Sequence, residues 1–135
     1  MAEFDLLILA EYARVDASGL LTVVGGGFDR VQVPSLPAQQ PASVAVRVLL
    51  DETERSVPLQ VTARAPDSRY VINLLGSGER PEGARPHEGK VGVTLVVSTM
   101  LPLSVTGVYE ILVRLADLPE RRLSFVVEMT ELPGA

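Results

Sequence analysis

The sequence predicts an all-β fold, an antiparallel β-sandwich of roughly eight strands with an immunoglobulin-like, Greek-key arrangement. Apolar residues in several segments alternate with polar ones, which is the period of a strand with one solvated face. No stretch of a dozen residues combines a helical period with a helix cap, so we expect no substantial helix. Short segments rich in turn-forming residues separate the apolar ones, as in antiparallel sandwiches and barrels.

The strand candidates can be followed in order along the chain. They lie at 4–12, 20–24, 28–33, 43–50, 57–65, 69–75, 90–99, 108–116 and 122–129. The alternation is clearest in the candidates at 57–65, 90–99, 108–116 and 122–129, and Val57, Leu59 and Val61 illustrate the inward positions of the first of these. Asp, Pro, Gly and Ser residues mark the turns between candidates, at 16–19, 34–41, 51–56, 65–68 and 116–120.

The segment from Gly76 to Lys90 is dense in Gly, Pro and charged residues, and it is expected to be a long, exposed polar loop. A variable connection is favoured over a binding loop. With 135 residues and no internal repeat or linker, the chain is expected to be a single domain over 1–135.

The bulk composition restricts the partners. A net charge of −5 argues against nucleic acid and against anionic membranes, because both need clustered basic residues. The chain has no cysteine, and its first apolar run is short and carries Glu3 and Asp5, so we expect neither a signal peptide nor a membrane span. A cytoplasmic protein is the expectation. The hydrophobic content of 47% suggests apolar surface buried against another copy or a protein partner.

The sequence contains few residues that could support catalysis or bind a metal ion. The only histidine, His87, lies in the polar loop, whereas a catalytic triad needs a rigidly held histidine and a zinc site needs several ligands. We therefore predict no catalytic residue, no metal site and no cofactor, and we do not expect an enzyme.

Three consecutive glycines, Gly25, Gly26 and Gly27, resemble a phosphate-binding loop at first sight. Such a loop must lead into a helix, but an extended segment and two prolines follow here. We predict instead a structural bend that places Phe28 in the core, with Asp29 and Arg30 solvated or paired with each other.

A second structural feature is the spacing of Gly107 and Tyr109, which opens a strand candidate. A tyrosine at such a corner can bury its ring and return its hydroxyl to the backbone, as in the tyrosine corner of Greek-key sandwiches. We predict that both residues are structural.

Two clusters of carboxylates leave an alternative open. One cluster holds Asp51, Glu52 and Glu54, and the polar loop adds Glu79, Glu82 and Glu88. Solvated turns are favoured for both. The alternative function is a small-molecule or cation site at one end of the fold, built from Asp51, Glu52, Asp67 and the loop 76–90.

The chain also resembles a family of small bacterial proteins known only as hypothetical proteins or as a domain of unknown function. The resemblance is carried by an A-E-Y-A segment, a G-x-L-x-x-x-GGG-F segment, a P-A-Q-x-P connector and a closing G-x-Y. These motifs lie at Ala10–Ala13, Gly19–Phe28, Pro37–Pro41 and Gly107–Tyr109. The resemblance implies a single bacterial, cytoplasmic domain, and it brings no activity, ligand or functional residue.

The predicted function is a non-catalytic protein-interaction or self-assembling module. The polar faces of the last three strand candidates each carry one aliphatic residue, namely Val96, Leu112 and Val126. If these strands are adjacent, the three side chains form a stripe suited to an interface. Leu7, Leu9 and Leu49 could extend the apolar exposure on the other sheet.

Overall fold

A computed structural model describes residues 2–68 and 70–130, and over these residues the chain forms nine strands and no helix. The alternating pattern predicted roughly eight strands. In chain order they are β1 (Glu3–Val15), β2 (Leu21–Gly26), β3 (Arg30–Val33), β4 (Ala38–Leu50), β5 (Ser56–Arg64), β6 (Val71–Glu79), β7 (Val91–Leu103), β8 (Gly107–Leu115) and β9 (Arg121–Met129).

The strands form two sheets, and neither closes into a barrel. Sheet A has the order β2-β1-β4-β7, and sheet B has the order β3-β9-β8-β5-β6. All pairs are antiparallel except β3 and β9, which are parallel. The prediction of a wholly antiparallel fold is wrong for this pair, because β3 follows a crossover from sheet A rather than a hairpin.

The alternating residues place one face of each sheet in a shared core. A single cluster of buried side chains includes Val46 and Val48 of β4 together with Val113 of β8 and Val127 of β9. Fully burying such a side chain contributes roughly 1.5–3 kcal/mol each. Three aromatic rings lie in contact one after another in this core. The ring of Phe28 meets that of Phe125 edge-on, with 5.3 Å between the ring centroids, and the ring of Phe125 stacks on that of Tyr109 at the same centroid distance of 5.3 Å.

The polar loop is shorter than predicted. Strand β6 continues to Glu79, so the expected loop 76–90 begins in the structure at Arg80. Gly76 and Gly78 thus belong to the strand rather than to the loop. A side chain at Gly78 would meet Val93 at 3.3 Å, which is a tight contact, so glycine there allows β6 to approach β7 of the other sheet, whereas one at Gly76 would meet Val97 at an ordinary 3.5 Å.

Two further boundaries differ from the predicted ones. Strand β4 begins at Ala38, inside the segment 34–41 that was predicted as a turn, and it forms 13 residues of ladder with β7. Strand β6 begins at Val71, and Arg69, the first residue of the predicted strand 69–75, lies outside the described residues.

The glycine triplet forms the crossover from sheet A to sheet B. Gly25 and Gly27 have φ angles of 63° and 78°, a region that residues with a Cβ enter only at a cost. The Gly27 N–H donates to the Leu9 carbonyl at 2.7 Å, and Phe28 follows, packed against the core cluster. Asp29 and Arg30 are exposed, as expected, and the ion pair of Arg30 is with Glu128 of β9 rather than with Asp29.

The corner between β7 and β8 is closed by a tyrosine. Tyr109 is only 1% exposed, and its hydroxyl donates to the Val105 carbonyl at 2.8 Å. Gly107 has a φ angle of 128°, and a side chain there would meet Pro66 at 3.1 Å. The G-x-Y spacing thus brings together, within one turn, the close contact of Gly107 with Pro66 and the buried hydrogen bond of Tyr109.

Candidate interaction surfaces

The stripe predicted from Val96, Leu112 and Val126 does not form. Leu112 and Val126 lie on β8 and β9 of sheet B, whereas Val96 lies on β7 of sheet A. The prediction assumed that consecutive strands are neighbours, but the connection from β7 to β8 crosses between the sheets. All three side chains are also half-buried rather than exposed.

The second set of predicted apolar residues is divided by a bulge in β1. The register of β1 against β4 shifts between Phe4 and Leu6, so that the residues after the bulge change sides. Leu9 is buried in the core cluster and Leu7 packs against it, so the prediction that they are exposed is wrong. Leu49 lies outside that cluster and is half-buried.

The same bulge exposes a different set of residues, on the outer side of sheet A. We call this set the apolar face. It consists of outward side chains that lie outside the core cluster, on all four strands of the sheet. Its members are Leu6, Ile8, Ala10 and Tyr12 of β1, Val24 of β2, Pro41 and Ala45 of β4, and Val96 and Met100 of β7.

The strand registers arrange the apolar face in rows that run across the sheet. Tyr12 of β1 pairs with Val24 of β2, and Pro41 of β4 pairs with Met100 of β7. Ala10 of β1 pairs with Ser43 of β4, and Tyr12 and Pro41 each lie two residues further along in the same direction. These four bulky residues therefore form one row across the sheet. Tyr12, Val24 and Met100 are each about half exposed, at 52%, 56% and 51%. The next rows are centred on Ala10 and Ala45, which are fully covered by their larger neighbours.

The polar groups within the apolar face bond to one another. The hydroxyls of Ser43 and Ser98 lie 2.8 Å apart across β4 and β7, so one donates to the other. At the end of the face, Arg47 pairs with Asp5 at the bulge. Gly92 makes room for this arginine, because a side chain at Gly92 would overlap the Arg47 guanidinium.

The outer side of sheet B is different in character, because ion pairs cross it. Arg122 of β9 donates to Glu110 of β8 at 2.7 Å, and this hydrogen bond holds the pKa of the Glu110 carboxyl below its usual value. Arg114 and Glu120 lie 3.3 Å apart, and Leu112 faces Arg122 across the ladder. Exposed ion pairs of this kind contribute little to stability, and they are typical of a sheet face in contact with water, here the outer side of sheet B.

The residues of the alternative loop site lie at two ends of the fold. Asp51 and Glu52 precede β5, whereas Asp67 follows it, and nine residues of strand separate them. The structure therefore does not bring these three predicted residues together. The loop from Arg80 does begin beside the first group, since the Arg80 guanidinium donates to the Asp51 carbonyl at 2.6 Å.

The acidic cluster itself is folded into a turn. The Asp51 carboxylate accepts hydrogen bonds from the Thr53 N–H at 2.9 Å and from its hydroxyl at 2.6 Å. The Glu54 carboxylate accepts from the N–H of Ala2 and from that of Asp51. Across residues 2–68 and 70–130, no three histidine, aspartate or glutamate side chains are grouped so that they could hold a metal ion.

His87 lies at the rim of the apolar face, on the same side as Asp5 and Arg47. It lines a cavity of about 370 Å³ together with residues of both charge signs. The other lining residues are Glu3, Asp5, Arg47, Leu49, Glu88, Lys90 and Gly92. Residue spacing could not indicate this cavity, because it forms where the loop 80–90 meets the bulge of β1.

The architecture and surfaces together define a class: an all-β domain of two sheets, one with an ion-paired outer face and the other with an apolar one. Comparison with protein families is consistent with the sequence resemblance. The chain belongs to the family of unknown function DUF6941, whose model matches residues 5–128. No curated protein matches the chain. Within the described part of the chain, no helix has the length and apolarity needed to cross a membrane.

Proposed function

We propose that this protein is a non-catalytic interaction module with an immunoglobulin-like sandwich fold, which self-associates through the apolar face of sheet A. The single observation that carries the proposal is the row of half-exposed bulky side chains around Tyr12 and Val24, set on a sheet face without charges at its centre. A monomer rarely leaves such a contiguous apolar surface in water.

The immunoglobulin-like fold is supported by the order of the strands. In immunoglobulin domains, the first, second and fifth lettered strands share one sheet, and the third, sixth and seventh share the other. Strands β1, β4 and β7 on one side, and β5, β8 and β9 on the other, follow the same division. The hydrogen bond from Tyr109 to Val105, near the start of β8, matches the tyrosine corner of that fold.

The outer side of sheet A, which contains the apolar face, is large enough for contact with a second copy. Its four strands of six to 13 residues, about 4.8 Å apart and rising ~3.3 Å per residue, present a total area on the order of 700 Å². A standard interface buries about 800 Å² on each partner. Two copies of sheet A packed face to face would therefore cover most of the apolar face.

The charge distribution also favours self-association at this face. Each copy carries a net charge of −5, so two copies repel at long range. The rows from Val24 and Met100 to Ile8 and Val96 contain no charged residue, and the arginine at their end is neutralised by Asp5. Contact at this face therefore adds no charge repulsion at its centre.

A pair of charge substitutions tests this proposal. Val24→Lys places a charge in the apolar face, and Val108→Lys places one on the outer side of sheet B at a similarly exposed valine, 47% against 56%. We expect Val24→Lys to weaken self-association at least about tenfold in sedimentation equilibrium. The Val108→Lys control should associate like the wild type. A wild-type protein that stays monomeric up to about 1 mM would contradict the proposal.

A second candidate function rests on the cavity beside His87. Its 370 Å³ and its mixed charges favour a small ligand that carries charges of both signs. The test is a thermal-shift screen of zwitterionic metabolites against the wild type and His87→Ala, with an increase in melting temperature only for the wild type as the supporting result. No increase with any ligand would contradict this second candidate.

A further inference from the structure

Strand β6 is one of the two long sheet edges in the fold. The edge strands β2 and β3 have only six and four residues, which limits their capacity to pair with another chain, and the other long edge, β7 with 13 residues, carries Pro102. β6 pairs only with β5 among the described strands, and its eight residues from Val71 to Gly78 carry neither charge nor proline. Natural edge strands usually carry such protective residues, because an unprotected edge pairs with other strands.

The side chains of β6 are also unusually exposed for apolar residues. Leu75, in the middle of the strand, is 81% exposed, and Val71 is 51% exposed. Beside Leu75 lies an open cavity of about 360 Å³, whose walls include Pro58, Gly76 and Ala116. A protruding leucine thus borders a mostly apolar depression that residues of β5, β6 and the end of β8 line.

One pairing register makes this edge complementary to itself. If a two-fold axis passes through Leu75, antiparallel pairing places Leu75 opposite its own copy. Asn73 then faces Ser77 of the second copy, and Val71 faces Glu79. Leucine thus meets leucine and the polar Asn73 meets the polar Ser77, as favourable cross-strand pairs require, whereas the Glu79 carboxylate beside Val71 needs a cation within reach.

The charged ends of the strand agree with the same register. Arg64 of β5 pairs with Val71 on one side of its strand and faces Glu110 of β8 on the other, so it lies two strands from the position that Glu79 of the second copy would take and between two carboxylates. The intervening distance is about 9.6 Å between strand axes, which a long arginine and a glutamate can bridge over the valine. The same contact recurs at the other end by symmetry.

We propose that β6 pairs with β6 of a second copy in this register, forming one continuous ten-stranded sheet from two copies of sheet B. The occupant is a second copy because both the central leucine and the charged ends are complementary to the strand that carries them. This contact is separate from the apolar face, and the two together would extend the assembly beyond a dimer.

The experiment isolates the edge contact in the Val24→Lys background, in which the apolar face is blocked. Sedimentation equilibrium of Val24→Lys should still show dimers. Adding Leu75→Lys should weaken that dimer at least about tenfold, whereas adding Val108→Lys should not. A strictly monomeric Val24→Lys protein up to about 1 mM, or a dimer insensitive to Leu75→Lys, would overturn the edge proposal. If wild type and Val24→Lys share one dimer that Leu75→Lys disrupts, only the face proposal fails.

A charge swap tests the register. Arg64→Glu and Glu79→Arg should each weaken the edge dimer, and the double variant should recover most of the wild-type affinity. A double variant that is weaker than both single variants would contradict the register. Hydrogen exchange gives an independent reading, because amides of β6 should become protected as the protein concentration rises, while β3 amides should not.

Discussion

At the scale of single residues, two neighbouring tyrosines have opposite roles. The rings of Tyr70 and Tyr109 lie 6.5 Å apart. The Tyr109 hydroxyl is bonded to the Val105 backbone, whereas the Tyr70 hydroxyl is buried with no hydrogen-bond partner among the described residues. The two hydroxyls therefore differ in what they contribute to stability, although both belong to the same aromatic group.

Removing each hydroxyl gives a matched comparison. Tyr109→Phe leaves the Val105 carbonyl without its donor, so we expect it to lower the free energy of unfolding by about 1–3 kcal/mol. Tyr70→Phe removes a buried hydroxyl that has no hydrogen-bond partner within residues 2–68 and 70–130, so we expect it to be neutral or stabilising at neutral pH. Urea unfolding of the two variants checks both. Equal losses in the two would contradict the assigned roles.

The Tyr70 hydroxyl also makes the free energy of unfolding depend on pH in the alkaline range. Burial raises the pKa of Tyr70 to about 12. The unfolded chain releases this proton near its ordinary pKa of about 10, so between these values the folded state holds more protons. The free energy of unfolding therefore falls as the pH rises from about 10 to about 12.

The Phe variant isolates this contribution from other titrations. Unfolding midpoints of wild type and Tyr70→Phe, measured between about pH 9 and about pH 11.5, should diverge because only the wild type has the Tyr70 contribution. Parallel curves would show that Tyr70 keeps an ordinary pKa.

At the scale of strands and turns, glycines act in two different ways. Gly27 has a φ of 78°, and a Cβ at this position would have open space around it. A substitution there is therefore penalised by the backbone conformation alone. Gly76 has no such φ, and a methyl group there would meet Val97 and Leu95 at 3.5 and 3.6 Å, which is ordinary packing contact.

These two glycines predict opposite changes. Gly27→Ala should destabilise the fold by about 1–2 kcal/mol, because a left-handed backbone strains a residue with a Cβ. Gly76→Ala should stabilise it by about 0.5–1 kcal/mol, because alanine loses less entropy in a strand. Differential scanning calorimetry of both variants tests the pair. Destabilisation by Gly76→Ala would mean that β6 and β7 cannot accommodate a methyl group.

The elements also show which parts of the fold the sequence could predict. Period-two alternation and turn residues indicated the all-β class and most strands. The bulge at Asp5 left no trace in that pattern, and it reverses which of Leu6 and Leu7 faces the core. A one-residue slip moves every later side chain to the opposite face, so the exposed set on β1 could not be read from alternation.

At the scale of the whole molecule, the sequence could not show which strands are neighbours. Val96, Leu112 and Val126 lie on three consecutive strands, yet the chain crosses between the sheets at each connection except the β1–β2, β5–β6 and β8–β9 hairpins. The apolar face brings together residues as far apart in sequence as Leu6 and Met100. Its existence depends on long-range register, which local patterns do not encode.

Self-association through the apolar face is tested most directly by placing a single thiol on that face and measuring its protection from labelling. The chain has no cysteine, so Met100→Cys and Val108→Cys each carry one thiol, at sites that are 51% and 47% exposed. We predict that maleimide labelling of Met100→Cys slows as the protein concentration rises, while that of Val108→Cys stays constant. Concentration-independent labelling at both sites, under conditions where wild type self-associates, would contradict burial of the apolar face.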